Sequence, residues 1–116
     1  MGLASQALAA VVAALHVYFL VLEMFLWATP FGAKTFARPL EEMQQTKPLA
    51  ANQGLYNGFL AAGLVWSIVV PDLHVRVFFL ACVVIAGVFG AATASRKILF
   101  VQALPGAAAL AVTLVA

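Results

Sequence analysis

LASQALAAVVAALHVYFLVLEMFLWA, residues 3–28, is the stretch on which the fold turns. It holds one charged side chain, Glu23, and no Lys or Arg. As a helix rising 1.5 Å per residue it would reach about 39 Å, more than the ~30 Å apolar core of a bilayer. Lipid offers the backbone no hydrogen-bond partners, so a segment that crosses it must be helical. A secretory leader would open on positive charge and carry a shorter apolar core, whereas the first basic residue here is Lys34. The segment is therefore expected to remain as a span.

Three more stretches have the same character: residues 49–70, 74–94 and 98–116. The expected fold is an all-α membrane protein, an antiparallel up-and-down bundle of four transmembrane helices forming one domain over residues 1–116. Short links between the second and third and between the third and fourth spans make antiparallel neighbours. The whole 116-residue composition agrees, with 66% hydrophobic and only 9% charged residues, and excludes an ordinary water-soluble domain. Six basic against four acidic side chains are too few for a nucleic-acid surface, and the excess reads as topology. Cys82 is the single cysteine, so no intrachain disulfide or cysteine metal cluster can form.

The breaks between spans carry helix punctuation. Thr29-Pro30-Phe31-Gly32 should stop the first span, Pro48 suits the first turn of the second, Asp72 can cap the third after Pro71, and Arg96 and Lys97 mark its last turn. Residues 31–47 place Phe36, Leu40 and Met43 at helical spacing, which fits either a short interfacial helix opened by Pro39 or a solvated loop. Lys34, Arg38, Lys47, Arg96 and Lys97 flank the first and third connections, against Arg76 alone near the second. That bias puts the basic side in the cytoplasm and both termini outside a cell (inner) membrane.

The polar residues within the spans carry the functional question. An acidic side chain at the centre of a span costs about 2.5–3.5 kcal/mol on insertion scales, so Glu23 needs a reason. His16, seven residues earlier, lies on the same helix face but about 10 Å away, too far for direct contact. The second span opens with Asn52-Gln53-Gly54-Leu55-Tyr56-Asn57-Gly58, in which Asn52 pairs with Tyr56 and Gln53 with Asn57 at four-residue spacing. With alternating span directions, Glu23, this cluster and Gln102 share the cytoplasmic third. Each amide taken singly is equally well explained as interhelical bonding. His16 and Glu23 are too few for a metal site, and His74 belongs to the other side. Gly54 with Gly58, Gly87 with Ala91, and Gly90 with Ala94 form small-residue faces for close packing, within one bundle or between copies. Trp27 and Trp66, near span ends, read as interface anchors.

His16, the run Leu22-Glu23-Met24-Phe25-Leu26-Trp27, Thr29-Pro30 and the string from Ala51 to Ala61 (ANQGLYNGFLA) resemble the pattern of small bacterial and fungal membrane proteins grouped as domain-of-unknown-function family 1304. The resemblance covers essentially the whole chain. It implies a compact four-span protein with the His, Glu and Asn-Gln-Tyr-Asn positions as its signature, and it implies no activity.

The leading functional expectation is small-molecule binding or proton-linked transport through a polar pocket formed by His16, Glu23, Asn52, Gln53, Tyr56, Asn57 and Gln102. The alternatives are an accessory or assembly subunit of a larger membrane complex and, third, an enzyme on a lipophilic substrate. No nucleophile with an adjacent base and no cofactor fingerprint is visible, so a non-enzymatic role is favoured and no cofactor or metal is expected. The expected partners are the lipid bilayer, a small polar or amphipathic ligand, and either a second copy or a larger membrane protein.

Overall fold

The computed structural model describes residues 1–115; the last residue of the expected fourth span, Ala116, lies outside them. The described chain is all helical: α1 (Leu3–Met24), α2 (Pro30–Phe36), α3 (Leu40–Gln45), α4 (Lys47–Val69), α5 (Leu73–Thr93), a π-helical turn (Leu99–Ala103) and α6 (Leu104–Val115). Two of these helices, α1 and α5, are long and apolar enough to cross a membrane. α4 is as long, but its Asn52–Asn57 cluster lowers its hydropathy, and the apolar segment Leu99–Val115 is shorter.

The chain folds as two compact units, one comprising residues 1–15 with 60–116 and the other residues 16–59. In the first, Val12, Ala13, Leu64, Leu80, Val83 and Ala109 form the buried core. These residues come from α1, α4, α5 and α6, so four helical segments surround one apolar centre. Asp72 caps α5 as expected, its side chain accepting the Val75 N–H at 3.0 Å. Arg96 and Lys97, expected in the last turn of this helix, lie beyond its end at Thr93 and are both exposed, Lys97 already at the start of the next helical run.

Pro105 shapes the approach to α6, an effect that hydropathy alone does not register. Proline has no N–H to give the Val101 carbonyl, and its ring crowds that carbonyl. The preceding turn widens, and the Leu104 N–H reaches back five residues to the Leu99 oxygen. The widened turn presses on Gly87, where an added Cβ would stand 2.7 Å from the Ala103 Cα. The small-residue face around Gly87 thus packs inside this unit.

The second unit corrects the first span. Residues 3–28 were expected to be helical throughout, yet α1 stops at Met24. Pro30 disfavours helical backbone at Thr29, which is extended and caps α2 by accepting the Gly32 N–H at 3.2 Å. The Leu26 N–H closes a wide turn onto the Val21 carbonyl at 3.2 Å. The first connection holds two short helices, with Pro39 opening the second as expected. Trp27 is fixed within this unit: its indole N–H donates to Thr46 Oγ1 at 2.9 Å, and its ring lies 4.7 Å from that of Phe36. Trp66 is 55% exposed.

α2 ends in a Schellman motif. The Arg38 N–H bonds to the Ala33 carbonyl at 3.0 Å and the Ala37 N–H to that of Lys34 at 3.3 Å. The turn puts Ala37 at φ 54°, ψ 45°, a left-handed conformation that glycine normally fills. Left-handed backbone costs an L-residue roughly 1–2 kcal/mol, and glycine's extra freedom in the unfolded chain returns part of the gain. A37G should therefore raise the thermal midpoint in detergent, by about 0.5–1 kcal/mol in stability, whereas the β-branched A37V should lower it. Equal midpoints for the three proteins would show that the motif is not under strain.

Candidate functional site

Two polar centres are built into these apolar helices. The first lies in the unit of residues 16–59. Glu23, in the last turn of α1, accepts a hydrogen bond at Oε1 from the Asn57 side-chain amide of α4, 2.5 Å away. Gly54, one turn before Asn57, lets the helices approach: a Cβ there would sit 2.6 Å from Met24 Cγ and 3.1 Å from Glu23 Cβ. Gly58 makes the same allowance for Leu20 Cδ1, at 2.8 Å. The small-residue pair therefore packs α4 on α1 within one chain. Asn57 is buried while Glu23 is only partly so. Nothing among the described residues bonds Oε2 of Glu23. The carboxyl group thus has one oxygen held by a protein donor, with no protein donor on the other among the described residues.

The other expected site residues are distributed differently. His16 is fully buried, its ring edge-on to Phe19 at 5.2 Å. Asn52, Gln53 and Tyr56 are exposed. Gln102 belongs to the unit of residues 1–15 and 60–116, partly buried in the π-helical turn. The arrangement brings Glu23 and Asn57 into direct contact, which four-residue spacing within the second span could not reveal. Among the described residues no group of three or more His, Cys, Asp or Glu side chains could hold a metal ion.

The second centre has no counterpart among the expected site residues. Arg76, expected as a charge beside a connection, lies in the first turns of α5 with no exposed surface. Its Nε–H donates to Ser67 Oγ at 3.2 Å, one terminal nitrogen to Ser5 Oγ at 2.9 Å, and the other to the Ser67 carbonyl at 2.7 Å. Thr113 Oγ1 donates to the Ala109 carbonyl at 2.7 Å, so Ser5 donates across the 2.6 Å contact between the two hydroxyls. The direction of donation runs from Arg76 through Ser5 and Thr113 to a backbone carbonyl. The Ser67 carbonyl is one of the last four of α4, which have no acceptor role inside the helix, and cations favour that end. One guanidinium thereby ties the start of α1, the end of α4, the start of α5 and the end of α6. Ser5, Ser67 and Thr113 carry no sequence signal, being single hydroxyls in apolar runs. No Asp or Glu side chain among the described residues pairs with Arg76.

The matched sequence runs through both centres. The model of a family described as "Protein of unknown function (DUF1304)" matches residues 10–114. The chain belongs to the DUF1304 family. It is similar to an uncharacterized protein, YpaA, of Lactococcus lactis subsp. lactis (strain IL1403), with 27% identity over 89 residues, 73% of this chain and 75% of that relative. No solved structure matches. The DUF1304 match includes Glu23, Asn57, Arg76 and Thr113, and excludes Ser5.

Each centre has a stability consequence. G54V would drive the α4 backbone off Met24 and Glu23, an overpacking cost of about 1–3 kcal/mol, measurable as a lower thermal midpoint than G54A. R76M would remove donors from two Ser67 oxygens and from Ser5, costing about 4–5 kcal/mol at ~1.5 kcal/mol for each of the three bonds from a charged donor. Replacing the hydroxyl partners as well, in R76M/S5A/S67A/T113V, should recover most of that loss, because apolar packing substitutes well for a buried polar cluster. Wild-type unfolding for R76M alone would remove Arg76 from the framework.

Proposed function

We propose that this DUF1304 protein is a multi-pass membrane protein that crosses the bilayer four times and binds or carries a small molecule in exchange for a proton at Glu23. The observation that carries the reading is the carboxylate itself. It stands in an apolar helix, half-buried, with one oxygen bonded to Asn57 and no protein donor on the other among the described residues. An ionisable group at such a place is a functional site by default, because its insertion cost is offset only by use or by pairing. Asn57 supplies a neutral donor, which orients the carboxylate without cancelling its charge. A proton or a hydrogen-bond donor on the ligand would then compete for the same Oε2.

Four crossings are supported by the Arg76 centre. It joins the first turn of α1 to the last turn of α6 and the α4 end to the α5 start, as an even number of alternating spans requires. α4, with 23 residues, is long enough at about 34 Å despite its polar beginning. Burial of Arg76 sharpens the charge bias, since Lys34, Arg38, Lys47, Arg96 and Lys97 are then the exposed basic residues, all on the opposite connections. The orientation supported is a basic cytoplasmic side with the two termini outside.

The test needs no known ligand. Infrared difference spectra of the protein in liposomes, taken across a pH jump, should show a protonated-carboxyl band that is absent from E23Q and displaced in N57A. Superposable spectra for the wild type and E23Q would refute the proposal.

A further inference from the structure

α4 has two unlike faces. At 100° per residue, Gly54, Asn57, Gly58 and Ala61 cluster about the direction opposite Asn52, whereas Tyr56 and Phe59 fall within about 40° of Asn52. The first group faces the chain's own packing: Gly54 and Gly58 on α1, Asn57 on Glu23, and Ala61 buried. On the second, Tyr56 is 50% and Phe59 57% exposed, Asn52 is exposed, and Gln53 is exposed on the flank. The side chains of Asn52, Gln53 and Tyr56 make no hydrogen bond among the described residues.

Depth makes this face costly. Centred on a ~30 Å hydrocarbon core, a helix of about 34 Å leaves only about 2 Å outside at each end, so Asn52 stands about 5 Å and Tyr56 about 11 Å within. Amides there face a medium without donors or acceptors. They need a partner.

The geometry points to a second copy of this chain, docked through the Asn52, Tyr56 and Phe59 face of α4 across a twofold axis along the bilayer normal. Such an axis sets every residue opposite its equivalent at the same depth. A carboxamide is both donor and acceptor, so Asn52, at the centre of this face, can bond Asn52 of the second copy, whereas a carboxylate or an ammonium would repel its copy. Phe59 and the Tyr56 ring, 6.2 Å apart, supply the apolar part of the contact. This face lies away from Glu23, so dimerisation leaves the proposed site within each protomer. The inference rests on the reading that α4 spans the membrane.

Cysteine crosslinking in native membranes tests it, with C82S as the background. N52C and F59C should yield disulfide-linked dimers on mild oxidation, and I85C, on the exposed side of α5, should not. N52L/Q53L should raise the dimer dissociation constant, measured by energy transfer in liposomes, by roughly 3- to 30-fold, the worth of membrane amide bonds. Equal crosslinking at I85C, a crosslink from N52C to a different protein, or single-step photobleaching of the wild type would each overturn the dimer. A membrane-impermeant maleimide separates this from the spanning reading. Labelling of K47C and D72C from the same side refutes the span and the depth argument with it, whereas labelling from opposite sides without an N52C crosslink refutes the dimer alone.

Discussion

A polar group removed from water must find its partner inside the chain, and that constraint organises this protein. Its strongest instance is Arg76. A buried guanidinium costs several kcal/mol to desolvate, and with no carboxylate beside it among the described residues the compensation comes from two serine hydroxyls and a carbonyl at the end of α4. Those acceptors belong to α1 and α4, and through Ser5 the cluster extends to Thr113 of α6. The apolar core below it, around Leu64, Leu80 and Ala109, is non-directional and would tolerate sliding of one helix on another. The hydrogen bonds are directional and set which turns meet.

Small residues apply the same logic to the backbone. Where two helices must approach closely enough for short polar side chains to touch, a Cβ is the obstacle. Gly54 stands where Glu23 and Asn57 must meet, and Gly87 where the turn widened by Pro105 needs room. The same feature, a glycine at an interface, thus serves a polar contact in one unit and relieves a proline in the other.

The helical class and the Asp72 cap are legible in the sequence, because hydropathy and capping are local signals, whereas residues 31–47 read equally as a short helix opened by Pro39 or as a loop. Glu23 also stands out there, by the cost of being charged in an apolar run, and Asn57 does so only as one member of the Asn52–Asn57 cluster. Their pairing does not, since the contact depends on the register of α4 against α1, which Gly54 and Gly58 set through packing. Arg76 reads as a surface charge because four residues from a turn is also where an exposed charge would sit. Ser5, Ser67 and Thr113 escape notice because a hydroxyl in a helix can always bond its own preceding carbonyl, as Thr113 does with Ala109. The early end of α1 is hidden by the apolar residues 25–28, which suit a turn under α2 as well as they suit a span.

The two centres are built on a base and an acid, and they differ in form. Arg76 is closed: it has no exposed surface, and each of its nitrogens has a protein acceptor. A guanidinium also stays protonated under all ordinary conditions, so no change of charge is available to it. Glu23 differs on each count, being partly accessible, bonded through one oxygen and able to exist in two protonation states. A donor that is itself neutral, such as the Asn57 amide, can serve either state, because the carboxyl and the carboxylate both present an acceptor oxygen. A lysine or arginine in its place would hold the charge permanently. On the proposed exchange role, a neutral amide is the partner that leaves both protonation states of the carboxyl group accessible.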